Sequence, residues 1–588
     1  MKNFKLTKKF KGFKTKVDKT RLASGYLVEG SQNVLSTDGE NIKIREGYEL
    51  YGAAATALTP IESSYVWNNS LGQERAIRAY DDELEVYYGG AWVRVADSWS
   101  AVDFQFAEWW DTDEVRDMLL FVNGDANIYA WTGAITTIAA VTSNTIKTNG
   151  TSTWAELGFV LDGTSYDKIV TIDGTDYTYT GGESTTTLTG VSPSPAGETV
   201  DDNVIQSVST IANKPAAGKD NDLIAVLNNQ LYVGDETLRT VEVCKQNDFT
   251  TWIPSSPRLP GEAANLTFDA VPTGFVVQED TMYISAGKGF WYKVLFQLSA
   301  DLTKESFSVK RLKTAPQQAA RSQGAIANIK NDVVFISNEP TIDSLGRLEN
   351  IETPQSKVMS DNIKPTLEGY DLDNVDIKYF RNNLYIALPD ESIVLIYNIE
   401  KGFWESPQIL PIRKFAIIGG ELYGHSNAVP ETYKLFTGHN DNTNPIEAIA
   451  KFSYENQGKR YWEKNFDETY KEGYISSNTT LTHEMNLDYG GFTSILEDEI
   501  DGSENKYLFT PITDGSLGRN SLGQEPLGGT LDELPELSKF RKIKTYKKQD
   551  FFEVQHIFKS NQVDGNWQIL CYGGNYLMSN AEPNQIKD

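Results

Sequence analysis

Apolar positions fall in short runs that alternate with polar ones, and each run is bounded by Asn, Asp or Gly pairs. No long stretch repeats its apolar residues at the helical spacing, so the pattern predicts an all-β chain. One phrase recurs: two turn-forming polar residues, a spacer, an aliphatic, an aromatic and usually a β-branched residue. It reads Asn228-Asn229-Gln230-Leu231-Tyr232-Val233, then Glu279-Asp280-Thr281-Met282-Tyr283-Ile284, then Asn331-Asp332-Val333-Val334-Phe335-Ile336 and Arg381-Asn382-Asn383-Leu384-Tyr385-Ile386. Gly419-Gly420-Glu421-Leu422-Tyr423-Gly424 is a weaker copy. The aromatics from Tyr232 to Tyr385 step by 51, 52 and 50 residues.

Each phrase reads as a hairpin turn entering a strand, and a unit of this length holds about four strands. That is a β-propeller blade, and the repeated aromatics Tyr232, Tyr283, Phe335, Tyr385 and Tyr423 are expected to pack the blades. Two earlier units, Ile77 to Val95 and Leu119 to Ile138, fit the scheme more loosely. A propeller of about six or seven blades is expected across 55–440, with a plain array of β-sandwiches as the alternative. The period breaks in a Thr-, Gly- and Ser-rich stretch, which predicts a small β module inserted between blades. After about residue 440 the phrase stops, and a sandwich-like C-terminal domain is expected. The division is 1–54 (basic arm and first strands), 55–138 (first blades), 139–217 (insert), 218–440 (remaining blades) and 441–588 (C-terminal domain). A loop at 514–529 carries Ser516-Leu517-Gly518-Arg519 and Ser521-Leu522-Gly523-Gln524.

Charge sharpens this picture. The chain carries a net −27, yet residues 1–21 hold nine Lys or Arg against one Asp, leaving −35 on the rest. So acidic a body repels the phosphate backbone, which argues against gripping DNA and suits the wall of a DNA conduit; it also suits simple solubility. The basic arm could contact nucleic acid, dock on an acidic neighbour, or stay solvated. Its interleaved Phe4, Phe10 and Phe13 want apolar partners, so docking on another subunit through Lys8, Lys9, Phe10, Lys11, Phe13 and Lys14 is the preferred expectation. The arm lacks the apolar core of a signal peptide, and no apolar run reaches membrane-spanning length. A cytoplasmic product is expected.

Chemistry is sparse. Cys244 and Cys571 cannot form a disulfide scaffold by number alone, and the four His show no ligand spacing. There is no nucleophile-elbow or phosphate-loop motif. The run Asn440-Asp441-Asn442-Thr443-Asn444 alternates oxygen donors as a calcium loop would, but lacks the downstream Glu, and a polar linker is preferred. Trp252 and Trp404 recur after their blade aromatics, and packing is preferred over ligand stacking. No catalytic residue, metal or cofactor is expected.

The opening residues carry a family resemblance. Phe10-Lys11-Gly12-Phe13 leads to Gly25-Tyr26-Leu27, then Ser31-Gln32-Asn33-Val34, Asp38-Gly39 and Ile42-Lys43-Ile44-Arg45-Glu46-Gly47-Tyr48. This resembles the start of tailed-bacteriophage structural proteins, in particular the tail nozzle and head-to-tail hub (DNA-stabilisation) propellers of short-tailed phages. The likeness extends loosely through Asn247 to Trp252, Asn374 to Ala387 and the Ser-Leu-Gly loop. It implies a non-enzymatic virion component that forms a cyclic oligomer, commonly of six copies. Such a ring extends or seals the channel through which phage DNA passes without sequence-specific binding, and holds adaptor and fibre proteins. A receptor- or glycan-binding tail-tip or minor tail protein is the first alternative, and a glycan-cleaving propeller enzyme the second.

Overall fold

The computed structural model describes the chain except residues 1, 37–38, 55–57, 113, 162–165, 212–219, 255–260, 288, 297–306, 313–317, 331, 347–357, 456–463, 490–491, 505–536 and 579–588. The Ser-Leu-Gly loop and Lys214-Pro215 lie outside the described residues. Nearly all regular structure is strand, as the alternating pattern predicts.

Among the described residues seven sheets form the blades of a propeller, antiparallel except where Asn440–Asp441 runs parallel to Tyr48–Leu50 in the last. Their first strands are Ser63–Asn68, Gln105–Asp111, Leu223–Leu227, Pro272–Gln278, Ile326–Ile329, Asp376–Phe380 and Ile412–Ile418, for blades 1 to 7. Each packs against the first strand of the next blade, and the last packs against the first, so the ring closes. Hairpin turns use residues that tolerate positive φ: Asn228 and Asn229 both lie at +52°, and Gly419 and Gly420 at +57° and +78°.

The second strands are buried on both faces, which is why they read as near-continuous apolar runs. In blade 3, Leu231 and Val233 face blade 2, while Tyr232 packs with Phe275, Met282 and Ile284 of blade 4. Tyr283 faces blade 5, Tyr385 packs on Phe415 and Leu422 of blade 7, and Tyr423 meets Ala76 of blade 1. Phe335 departs from this pattern. In blade 5 the turn is bracketed by the pair Ile329–Asp332, with Lys330 at φ +43°. The turn therefore starts one residue earlier than the sequence phrase implies, and Val334, not Phe335, holds the place of Tyr232. Because side chains alternate along a strand, that single step turns Phe335 back onto Tyr283 and Trp291 of blade 4.

The insert sits between the third strand of blade 2, Tyr129–Trp131, and its fourth, Ser209–Thr210. Its six-stranded sheet runs from Ile135 to Gln206, starting four residues before the expected boundary, and encloses a core of its own around Trp154, Phe159 and Leu188.

The C-terminal region is a sandwich. One sheet holds Ala448–Lys451, Thr480–Tyr489, Phe492–Asp501 and Glu553–Ser560; the other is built on Lys464–Ser476, Leu537–Phe551 and Trp567–Met578. The second sheet also takes in three strands from the chain's start: Lys2–Thr7, Val34–Leu35 and Ile42–Ile44. The expectation that Phe10 and Phe13 dock on another subunit is thereby corrected. Phe10 and Phe13 are 3% and 4% exposed, inside a core shared with Phe452, Tyr572 and Trp404, so their apolar partners lie in their own chain. No helix among the described residues is long and apolar enough to cross a membrane.

Candidate functional site: the seam and the axial mouth

The opening phrase maps onto one junction. Tyr48–Leu50 pairs with Thr432–Leu435 and supplies the outer strand of blade 7, so the last blade is completed by the start of the chain. The residues just before that strand lock it. Arg45 is 1% exposed and spends all five N–H donors. Two go to the Asp441 carboxylate, both at 2.6 Å; the others go to the carbonyls of Glu46 (3.0 Å) and Ile409 (2.9 Å) and to Asn33 Oδ1 (3.1 Å). Asn33, at φ +55°, also accepts from the Ile409 N–H at 2.7 Å and donates to the Glu447 carbonyl at 2.8 Å. At Gly47 a Cβ would stand 1.8 Å from the Asn440 carbonyl oxygen, so only glycine lets the two segments approach. Gly12, at φ +76°, approaches the Trp404 carbonyl in the same way. The Asn440-to-Asn444 run is a hairpin whose Asp441 answers Arg45. This seam is where the sequence reading fell short: an ion pair spanning 396 residues leaves no local spacing to detect.

The expected docking residues divide. Phe10 and Phe13 are core. Lys8, Lys9 and Lys11 are exposed, and Lys14 is half-buried. Lys11 and Lys14 stand 5.3 and 5.5 Å over the ring of Tyr26, so part of the arm's charge lies against its own surface. Trp404 is 1% exposed and donates to the Met359 carbonyl at 3.0 Å, while Trp252 is 7% exposed and packs with Trp109 and Phe249; both are packing residues.

At one end of the inner strands, blades 1, 2, 3, 5, 6 and 7 converge on a polar cleft of about 210 Å³. Glu62, Asp103, Asp222, Glu236 and Asp373 face Arg413 and Lys414 across it. Arg413 is paired with Glu62, and Arg321 with Asp373 at 2.5 Å. Among the described residues, Asp103, Asp222 and Glu236 have no cationic partner. Glu236 keeps a solvent-accessible edge, but the protein around the mouth thins its hydration; with Asp222 and Asp103 nearby, its pKa is pushed up to about 7. The mouth therefore favours small cations and repels phosphates. Its volume, about seven waters' worth at bulk density, admits no polymer.

Two further groups bear on chemistry. Asp173, Glu198 and Asp202 of the insert bring carboxylate oxygens within 4.8 Å of one another. Two of the three already accept hydrogen bonds: Tyr177 donates to Glu198, and the Thr199 backbone and hydroxyl donate to Asp202 at 2.6 and 2.8 Å. In the sandwich core, the His483 and His556 rings lie edge to edge in nearly parallel planes, centroids 5.2 Å apart, joined by a 3.0 Å hydrogen bond. Burial, with the charge of Lys471 nearby, holds His556 down to about 3 and His483 well below its usual value. Both cysteines are buried and free.

No family model matches the chain, and no curated protein matches it. Solved structures similar to parts of it include the computationally designed Ika8 protein, at 11% identity over 66% of this chain and 99% of that one, with a TM-score of 0.34. The nidogen/laminin complex gives 11% identity, 57% and 92% coverage and a TM-score of 0.29. Hsv2 of Kluyveromyces lactis gives 9%, 59% and 97%, and 0.24. At these scores the likenesses carry no argument, and the propeller rests on the sheets described above.

Proposed function

We propose that the chain is a non-enzymatic structural subunit of a tailed-bacteriophage tail, of the nozzle or head-to-tail hub kind, that assembles as a cyclic oligomer. The observation that carries this reading is the seam. Asn33, Arg45 and Gly47, three of the residues that carry the resemblance, hold the strand that completes blade 7. The rest of the phrase enters the C-terminal sheet and its core, so the residues behind the resemblance serve the junction of propeller and sandwich. The 210 Å³ axial mouth is far too small for DNA, so a conduit in this reading runs between copies and is lined by their acidic surfaces. The exposed Lys8, Lys9 and Lys11 offer such copies a complementary patch. Adaptor and fibre proteins are the other partners. A glycan-binding role would rest on exposed aromatic surface such as Trp110, which is 43% exposed, since Trp252 and Trp404 are buried.

Antibody against the chain, with gold label on virions of a phage that encodes it, tests the reading. Label on the tail is expected; virions free of label and of the chain's peptides would overturn it.

A further inference from the structure

Between blades 6 and 7, beneath the segment that leads into the seam, lies a second cleft of about 340 Å³. Its walls mix polar residues, Asn383 and Asn398 among them, with an apolar patch of Phe380, Tyr385, Leu422 and Phe436, in which the Tyr385 and Phe436 rings pack 5.5 Å apart. At its lining stands Glu405, only 6% exposed, whose carboxylate accepts one hydrogen bond, from the Ser36 N–H at 2.6 Å. Among the described residues no cation pairs with it. The charged groups around the cleft are already matched: Lys43 with Glu46 at 3.4 Å, and Arg381 with Glu421 at 2.9 Å. Arg381 also lies 4.7 Å over the Phe380 ring. Beside Glu405 the Ser36 hydroxyl, in a residue 2% exposed, is buried with no hydrogen-bond partner among the described residues.

A buried carboxylate without a counter-ion and a buried hydroxyl without a partner are both costly. Here the two sit together in a partly apolar cavity sized for an aliphatic chain. We infer that this cleft binds an alkylammonium or alkylguanidinium group: its cationic head on the Glu405 carboxylate, its stem along the half-buried Phe380 and Phe436 rings. The head supplies the missing charge and donors, and the rings add cation–π attraction. A neutral alcohol of equal length would bury the same stem and leave Glu405 uncompensated.

Burial pushes Glu405 up to about 7, offset in part by the Ser36 N–H and by Lys401. The other groups facing it are the paired Lys43, Glu46, Arg381 and Glu421, and Tyr385, whose hydroxyl burial keeps protonated. Binding of a cation therefore needs Glu405 ionised and strengthens as pH rises through 7.

The test is a titration of the full chain with n-butylammonium, n-butylguanidinium and n-butanol, read by calorimetry or saturation-transfer NMR. Saturable one-site binding of the two cations at pH 8 is expected, with no saturation by butanol. Binding should be about thirtyfold weaker at pH 5.5, the factor set by the ionised fraction of a group titrating near 7. Glu405→Gln, checked for an unchanged circular dichroism spectrum, should weaken it at least tenfold. A capped lysine binding as tightly as butylammonium would assign the head to a protein side chain; a capped lysine rejected while butylammonium binds would assign it to a free amine. Equal binding of butanol, an unchanged affinity in Glu405→Gln or across pH, or no saturation by either cation would overturn the inference. The pH arm on the unaltered protein keeps the test decisive if the variant fails to fold.

Discussion

Arg45 and Asp441 form a two-pronged ion pair, with both N–O distances at 2.6 Å, that ties the chain's opening segment to the hairpin that follows blade 7. Every strand pairing that completes blade 7 lies within a few residues of it. Burial of the arginine makes the pair a lock: a guanidinium left without its carboxylate in this place would have no water to turn to.

Breaking the pair should therefore cost more than a surface ion pair does. Asp441→Asn or Arg45→Leu is expected to destabilise the protein by about 3–5 kcal/mol, the usual range for a buried pair with one partner removed. Urea denaturation gives the magnitude. Hydrogen exchange gives the place, with protection lost first at Tyr48–Leu50 and Thr432–Leu435. Gly47→Ala should open the same strands, because its Cβ has no space beside the Asn440 carbonyl.

The blade aromatics allow a register test. Tyr232→Ala empties a core site between blades 3 and 4 and should cost about 3–5 kcal/mol. Exchanging two neighbours, Val334→Phe with Phe335→Val, keeps composition and volume but sends the ring to the opposite face. It should destabilise by about 1–3 kcal/mol through a cavity on one side of blade 5 and overpacking on the other. An exchange without effect on the denaturation midpoint would contradict the assigned register.

Deleting residues 1–21 is expected to damage the fold itself. The deletion removes the strand Lys2–Thr7 from beside Trp567–Met578 and takes Phe10 and Phe13 out of the core. Limited proteolysis should then cut within the sandwich, whereas Lys8→Glu/Lys9→Glu/Lys11→Glu, which changes only exposed charge, should leave its resistance unchanged.

Acid should weaken the protein through its buried imidazoles. Burial and the nearby Arg78 hold His425 down to about 3, and burial and Lys471 do the same for His556, against 6.5 when unfolded. The unfolded chain thus binds more protons between pH 6.5 and 3, and stability falls as pH falls through that window. Each imidazole contributes about 1.4 kcal/mol per pH unit. Glu405 acts in the opposite sense: its raised pKa favours the folded state below 4.5, and that gain is lost as pH rises through 7. Denaturation series from pH 5 to 6.5 should show His425→Asn less acid-sensitive than the parent protein, and Glu405→Gln more so.

The fold class and the blade spacing were legible because each hairpin declares itself locally, as Asn228-Asn229 and Gly419-Gly420 do. Phe335 was misplaced because Asn331-Asp332 reads as a turn as readily as the true one, and one residue decides the face. The arm was misread for a different reason. Its lysines and phenylalanines suit a partner surface, and nothing local says that the partner is the chain's own C-terminal sheet. Glu405, with no cationic partner among the described residues, was likewise invisible, since its isolation depends on Ser36, Lys43 and Arg381 from distant segments.

The solution mass by light scattering, with negative-stain imaging of the same peak, tests the central claim most directly. The account predicts a closed ring of several copies, six as the family resemblance implies, around a hole far wider than the propeller's own axis. A single species of 65.6 kDa that persists as protein concentration is raised would contradict it.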